Sequence, residues 1–76
     1  MKSDDLKKRI DSLVSHILFD YNGVPCGIDP LSREHIDMWY GQEDHRAKSV
    51  DEAMNVPLFD GKSLTQICDS ISNVEY

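Results

Sequence analysis

The first part of the chain repeats apolar positions in steps of three and four. Leu6, Ile10, Leu13, Val14, Ile17 and Leu18 fall on one stripe, with mostly polar residues between them. That spacing predicts an amphipathic helix over residues 4–20. Ser3 stands at the N-cap position, and Asp4 and Asp5 occupy the first turn, where the helix dipole favours acids. The stretch "DYNGVPCGIDP", residues 20–30, then breaks the pattern. Asn22-Gly23 reads as a helix stop or a tight turn, because both residues tolerate the left-handed conformation. Pro25 forces Val24 into extended geometry, which makes Val24 to Ile28 a short, irregular edge strand. Asp29-Pro30 offers a cap followed by proline and reads as the start of one helical turn, Leu31 to Arg33.

The segment "HIDMWY", residues 35–40, fits two periods. As a helix, Leu31, His35, Met38 and Trp39 form its stripe. As a strand, Ile36, Met38 and Tyr40 share one face while His35, Asp37 and Trp39 share the other. Its aromatic and β-branched residues favour the strand, and Gly41 ends it. The polar run "GQEDHRAK" reads as a turn leading out. Two capping boxes follow. "SVDE" starts a helix from Val50 to Asn55 that Pro57 stops, and "SLTQ" starts another, with Leu64, Ile67, Cys68 and Ile71 as its stripe, running to about Asn73. Between them "PLFDGKS" is a connection that sends Leu58 and Phe59 into the core. "VEY" reads as a fraying end. The fold expected from these signals is a small α+β single domain over residues 1–76. It has a long N-terminal helix, a short antiparallel β-hairpin and two short C-terminal helices. A two-stranded sheet is marginal alone, so the hairpin must lean on the long helix or on a second copy.

Charge narrows the function. Among 76 residues the formal net charge is −6. Residues 1–10 carry four basic side chains against two acids, while the rest carries four against twelve. So acidic a body repels phosphate backbones, which argues against direct nucleic-acid binding. No apolar run reaches the ~20 residues of a membrane span. No apolar core follows the N-terminal charges as in a signal peptide. The expectation is a cytoplasmic protein away from the membrane, with Cys26 and Cys68 reduced.

Catalytic and metal chemistry find little support. Cys26 lies between Pro25 and Gly27, but no motif brings His16, His35 or His45 beside it, and neighbouring acids oppose a thiolate. Cys68 falls on its helix stripe and reads as core. The histidines and cysteines lack the close pairs of a structural zinc site. "DYNGV" lacks the carboxylate ladder of a calcium loop, and "DGKS" lacks the earlier glycine of a phosphate loop. The adjacent acids Glu43-Asp44 and Asp51-Glu52 read as solvated positions. No catalytic residue, metal or cofactor is expected. Trp39 is the distinctive feature. In a strand it parts from Tyr40 and stands with His35 and Asp37, either buried by overlying helices or exposed as an anchor, the role tryptophan fills at interface hot spots. The sequence therefore suggests a non-enzymatic, acidic protein–protein interaction or regulatory module. It would bind a protein partner, or itself as a homodimer, through Trp39, Asp37 and His35. Two alternatives stand beside it: a small-molecule or metal site near Cys26, His35 and Asp37, and an acidic nucleic-acid mimic occupying a basic protein groove.

Overall fold

Asn22 and Gly23 decide the topology of the N-terminal half. Both take positive φ, 54° and 73°. Two successive left-handed residues match the right-handed twist of a hairpin, so they join two strands rather than end a helix. The computed structural model describes residues 2–13 and 15–75. In it Asn22-Gly23 links β1 (Ile17–Tyr21) to β2 (Val24–Ser32), with Tyr21 opposite Val24.

The long N-terminal helix therefore does not form. Helix α1 spans only Ser3–Asp11. Ser3 is its first residue; the N-cap is Lys2, which caps with no side-chain bond. Leu13 takes φ 56° and leaves the helical conformation, and Val14 lies outside the described residues. Of the six stripe positions only Leu6 and Ile10 are buried on the helix. Ile17 satisfies both periods, but Phe19 and Tyr21 are buried with it in strict alternation, and alternation belongs to a strand.

The short hairpin is likewise replaced. Strands β3 (His35–Tyr40) and β4 (Glu43–Ala47) extend the meander, and β5 (Ser72–Glu75) joins the far side. The result is one five-stranded antiparallel sheet in the order β4-β3-β2-β1-β5. Strand β2 is central, not an edge, and it absorbs Asp29, Pro30, Leu31 and Ser32, where a helical turn was expected. Its two prolines survive there because of where their missing donors fall. Alternation from the Tyr21–Val24 pair turns Pro25 toward β3 and Pro30 toward β1. Pro25 meets Gly41, one residue past the end of β3, and its carbonyl accepts from the Gly41 N–H at 2.9 Å. Pro30 lies beyond the Ile17–Ile28 pair at which β1 begins. Neither proline breaks a ladder bond. The run "GQEDHRAK" is not a plain turn. Its Glu43–Ala47 portion is an edge strand whose charges blunt the edge, and Ala47 reaches the core.

Helix α2 (Val50–Asn55) starts at Ser49, whose hydroxyl accepts from the Glu52 N–H at 2.9 Å. The Glu52 carboxylate does not return to close the box. It meets His45 Nε2 at 2.8 Å and ties the edge strand to α2. Helix α3 (Leu64–Ile67) has the complete box with Ser63 and Gln66. It stops well short of Asn73: Ser70 N–H bonds the Ile67 carbonyl at 2.7 Å, the chain turns, and residues expected to be helical or frayed pair with β1 instead. Tyr76, the last of the expected frayed residues, lies outside the described residues. One core joins Leu6 and Ile10 of α1, the inward residues of β1 to β4, Ala53 and Met54 of α2, Leu64 and Ile67 of α3, and Phe59 between the helices. Among the described residues no helix is long and apolar enough to cross a membrane.

Candidate functional site

All three helices place their buried residues against one face of the sheet. The alternate residues of the strands point away from that core. They are Leu18 and Asp20 on β1, Pro25, Gly27, Asp29 and Leu31 on β2, and His35, Asp37 and Trp39 on β3. On β4 they are Asp44 and Arg46, and on β5 it is Glu75, opposite Leu18. None of them belongs to the hydrophobic core. Among the described residues no second small core forms over Trp39.

Register arranges this face in rows. Leu18 stands opposite Gly27, Gly27 opposite Trp39, and Trp39 opposite Asp44. One row over, Asp29 stands opposite Asp37, and Asp37 opposite Arg46. The Trp39 ring does not stand up from the sheet. It lies across Gly27: a Cβ built on that glycine would overlap Cζ2, Cε2 and Cη2 of the indole. Gly27 is buried and Trp39 half-buried. A glycine weakens a strand interior, and an aromatic side chain laid over it from the next strand restores cover to the backbone. Asp29, Asp37, Trp39, Asp44 and Arg46 line a shallow hollow of about 630 Å³.

The polar groups around the indole are unevenly paired. Arg46 Nε donates to Asp37 Oδ1 at 3.2 Å. His35 Nε2 is 3.3 Å from the same oxygen, yet that buried nitrogen makes no hydrogen bond. Asp20 Oδ2 accepts from Asn73 Nδ2 at 2.8 Å. Asp29 and Asp44 have neither hydrogen bond nor ion pair from the side chains of the described residues. The Asp29–Asp37 pair sets two carboxylates directly opposite each other, an arrangement that costs stability unless a cation lies between or beside them. Arg46 serves only one of the two.

His35, Asp37 and Trp39 are thus brought together as one surface, but Cys26 is not with them. It faces the core from the opposite side of the sheet, 2% exposed, and its thiol donates to the Val24 carbonyl at 3.3 Å. Burial pushes this thiol from the ordinary value of 9.0 up to about 11, and the nearby Asp20 charge pushes the same way. Cys68 is also buried, and both thiols are free. Among the described residues no three His, Cys, Asp or Glu side chains come together to hold a metal. In the native protein at pH 8, iodoacetamide should leave Cys26 unmodified and should label it once denaturant unfolds the chain, as read by mass spectrometry. Labelling of the native form at the rate of a free peptide thiol would contradict this placement. Because the folded value is raised, the native state holds this proton longer than the unfolded chain does. The thiol's contribution is therefore intact below about pH 9 and is lost as pH rises toward about 11.

Sequence reasoning found Trp39 and its two companions but missed Gly27, Asp29, Asp44 and Arg46. The strand parity of Asp44 and Arg46 was readable had "EDHRA" been taken as a strand. The seat of Trp39 on Gly27 depends on register between strands and left no local signal. The chain matches no protein-family model, no curated protein and no solved structure.

Proposed function

We propose that this protein is a non-enzymatic interaction module that docks a protein partner on the bare face of its sheet, with Trp39 as the anchor and Asp37 and His35 beside it. One observation carries the reading: helices cover only one side of the sheet, and the chain's single tryptophan lies on the other. Tryptophan is enriched among residues that dominate interface energies. Here the ring is already held flat by Gly27, so little side-chain freedom remains to be lost on binding. A binding role rather than a catalytic one suits a chain whose Cys26 thiol is turned inward, on the other side of the sheet from His35 and Asp37. A cytoplasmic setting belongs to the same reading, since both thiols are free, as a reducing compartment keeps them.

Affinity capture with matched variants tests it. Trp39→Ala should lose a partner that the wild-type protein retains, while Lys8→Ala, at an exposed position of α1 on the helical side, should keep it. Circular dichroism must show both variants folded. Identical proteins recovered with folded Trp39→Ala and with wild type would sink the reading.

A further inference from the structure

The bare face also carries information about which partner it suits. Each of the five strands sends one carboxylate to it: Asp44 from β4, Asp37 from β3, Asp29 from β2, Asp20 from β1 and Glu75 from β5. Against these five stands one guanidinium, Arg46, already engaged by Asp37. Four of the chain's basic residues, Lys2, Lys7, Lys8 and Arg9, sit on or beside α1, on the helical side. The same helix also carries Asp4, Asp5 and Asp11, and Lys7 pairs with Asp51, so the helical side is mixed in charge where the bare face is almost wholly acidic. Adjacent strands are about 4.8 Å apart, so the acids form a field across the whole sheet rather than a single cluster.

Resting on the interaction reading, we propose that the bare face receives an arginine-bearing segment of a basic protein, with a guanidinium stacked on the outer face of the Trp39 indole and bonded to Asp44 and Asp29. The inner face of the indole is occupied by Gly27, and the half-buried ring borders the hollow, so the outer face is the one a ligand would meet. A planar cation over an aromatic ring is attracted by the ring's electrons, and arginine also stacks by shape. Asp44 is the cross-strand neighbour of Trp39, with Cβ atoms about 5 Å apart, so its carboxylate flanks a cation seated on the ring. Asp29 and Asp44 are the two carboxylates near the ring with no partner among the described side chains. An incoming guanidinium would relieve the Asp29–Asp37 opposition that Arg46 leaves half-answered. A second copy docking by the same face would instead set acid against acid, which costs affinity and selects against that pairing.

Titration with an eight-residue peptide of alternating glycine and arginine, and with its lysine counterpart, tests the proposal. Calorimetry and Trp39 fluorescence give the binding, and light scattering on the protein alone gives its mass. The arginine peptide should shift Trp39 emission and bind about two- to fivefold tighter than the lysine peptide. Asp29→Asn and Asp44→Asn should each weaken it about two- to fivefold. Asp60→Asn, in the turn at Asp60-Gly61 and outside the sheet, removes the same charge and should leave binding unchanged. If Asp60→Asn weakens binding as much as the sheet variants, the attraction is general charge and the proposal fails while the docking face stands. A failure to bind, with a concentration-dependent dimer whose Trp39 emission is blue-shifted, overturns the cationic partner and makes a second copy the occupant. Should the peptide fail, the protein stay monomeric and Trp39→Phe unfold the chain, both the proposal and the interaction reading fall, and Trp39 is a cover for Gly27 alone.

Discussion

Phe59→Ala should lower stability by about 3–5 kcal/mol. For a 76-residue chain that is a large part of the total, since domains hold about 0.05–0.15 kcal/mol per residue. Phe59 belongs to no helix and to no strand of the sheet, yet it is fully buried. Its ring centroid lies 5.8 Å from that of Phe19 and 6.0 Å from that of Tyr40. It is therefore the plug between the sheet and the segment that joins α2 to α3. The turn behind it, with Asp60 and Gly61 both at positive φ, folds Phe59 back against Lys62 and holds the ring inward. Truncation empties the space among three aromatic rings, and the two strands cannot close over it without losing register. Urea unfolding followed by circular dichroism measures the loss. Leu58→Ala, at a half-buried neighbour, should cost about 1 kcal/mol by the transfer of fewer buried groups. A Phe59→Ala protein within about 1 kcal/mol of wild type would mean that the ring is not the centre of the core.

Gly27→Ala should destabilise by about 1–3 kcal/mol, through overpacking against Trp39. The substitution is informative because alanine is otherwise the better strand residue: it loses less backbone freedom on folding. The sign of the effect thus depends on the indole. With Trp39 in place, the added methyl overlaps the ring and forces it off the sheet. With Trp39→Ala already made, the same Gly27→Ala change should be neutral or stabilising. A double-mutant cycle by urea unfolding reads this reversal as a coupling of the same size. Equal costs in both backgrounds would show that the ring does not rest on Gly27. The cycle also separates the two roles of Trp39, because a ring displaced by the added methyl remains available to a partner but is no longer pre-set.

The parts of this structure that were legible in the sequence are those with a local cause. Ser49 and Ser63 start helices where a hydroxyl meets a nearby N–H, and His35 to Tyr40 forms a strand because its residues alternate. The helix predicted over residues 4–20 failed because Ile17 satisfies either period, and the weight given to Leu13 and Leu18 hid the alternation of Ile17, Phe19 and Tyr21. Asn22-Gly23 carried the hairpin signal, but it was joined to the wrong element before it. Strand β2 was legible only as a short edge strand, Val24 to Ile28; its full length and central place were hidden by Pro25 and Pro30, which are compatible with a central strand only because each faces the end of a neighbour. That is a property of the whole sheet and cannot be seen from the strand itself. The bare face was half legible. The parity of His35, Asp37 and Trp39 was plain, whereas one carboxylate per strand emerges only when five separate segments are laid side by side.

The order of the strands also bears on how the molecule assembles. Strands β1 to β4 follow one another through short turns, so each pairing closes a small loop and forms at little cost in chain entropy. Strand β5 is different. It reaches β1 from the far end of the sequence, and the Asn73–Asp20 bond spans 53 positions. Its pairing is four residues long and interrupted between Leu18 and Asp20. Contacts of that separation are slow to form and are reached after local ones. The meander should thus form as a unit on which β5 docks last, and native-state hydrogen exchange should find the amide hydrogens of β5 at the lowest free-energy level of the sheet.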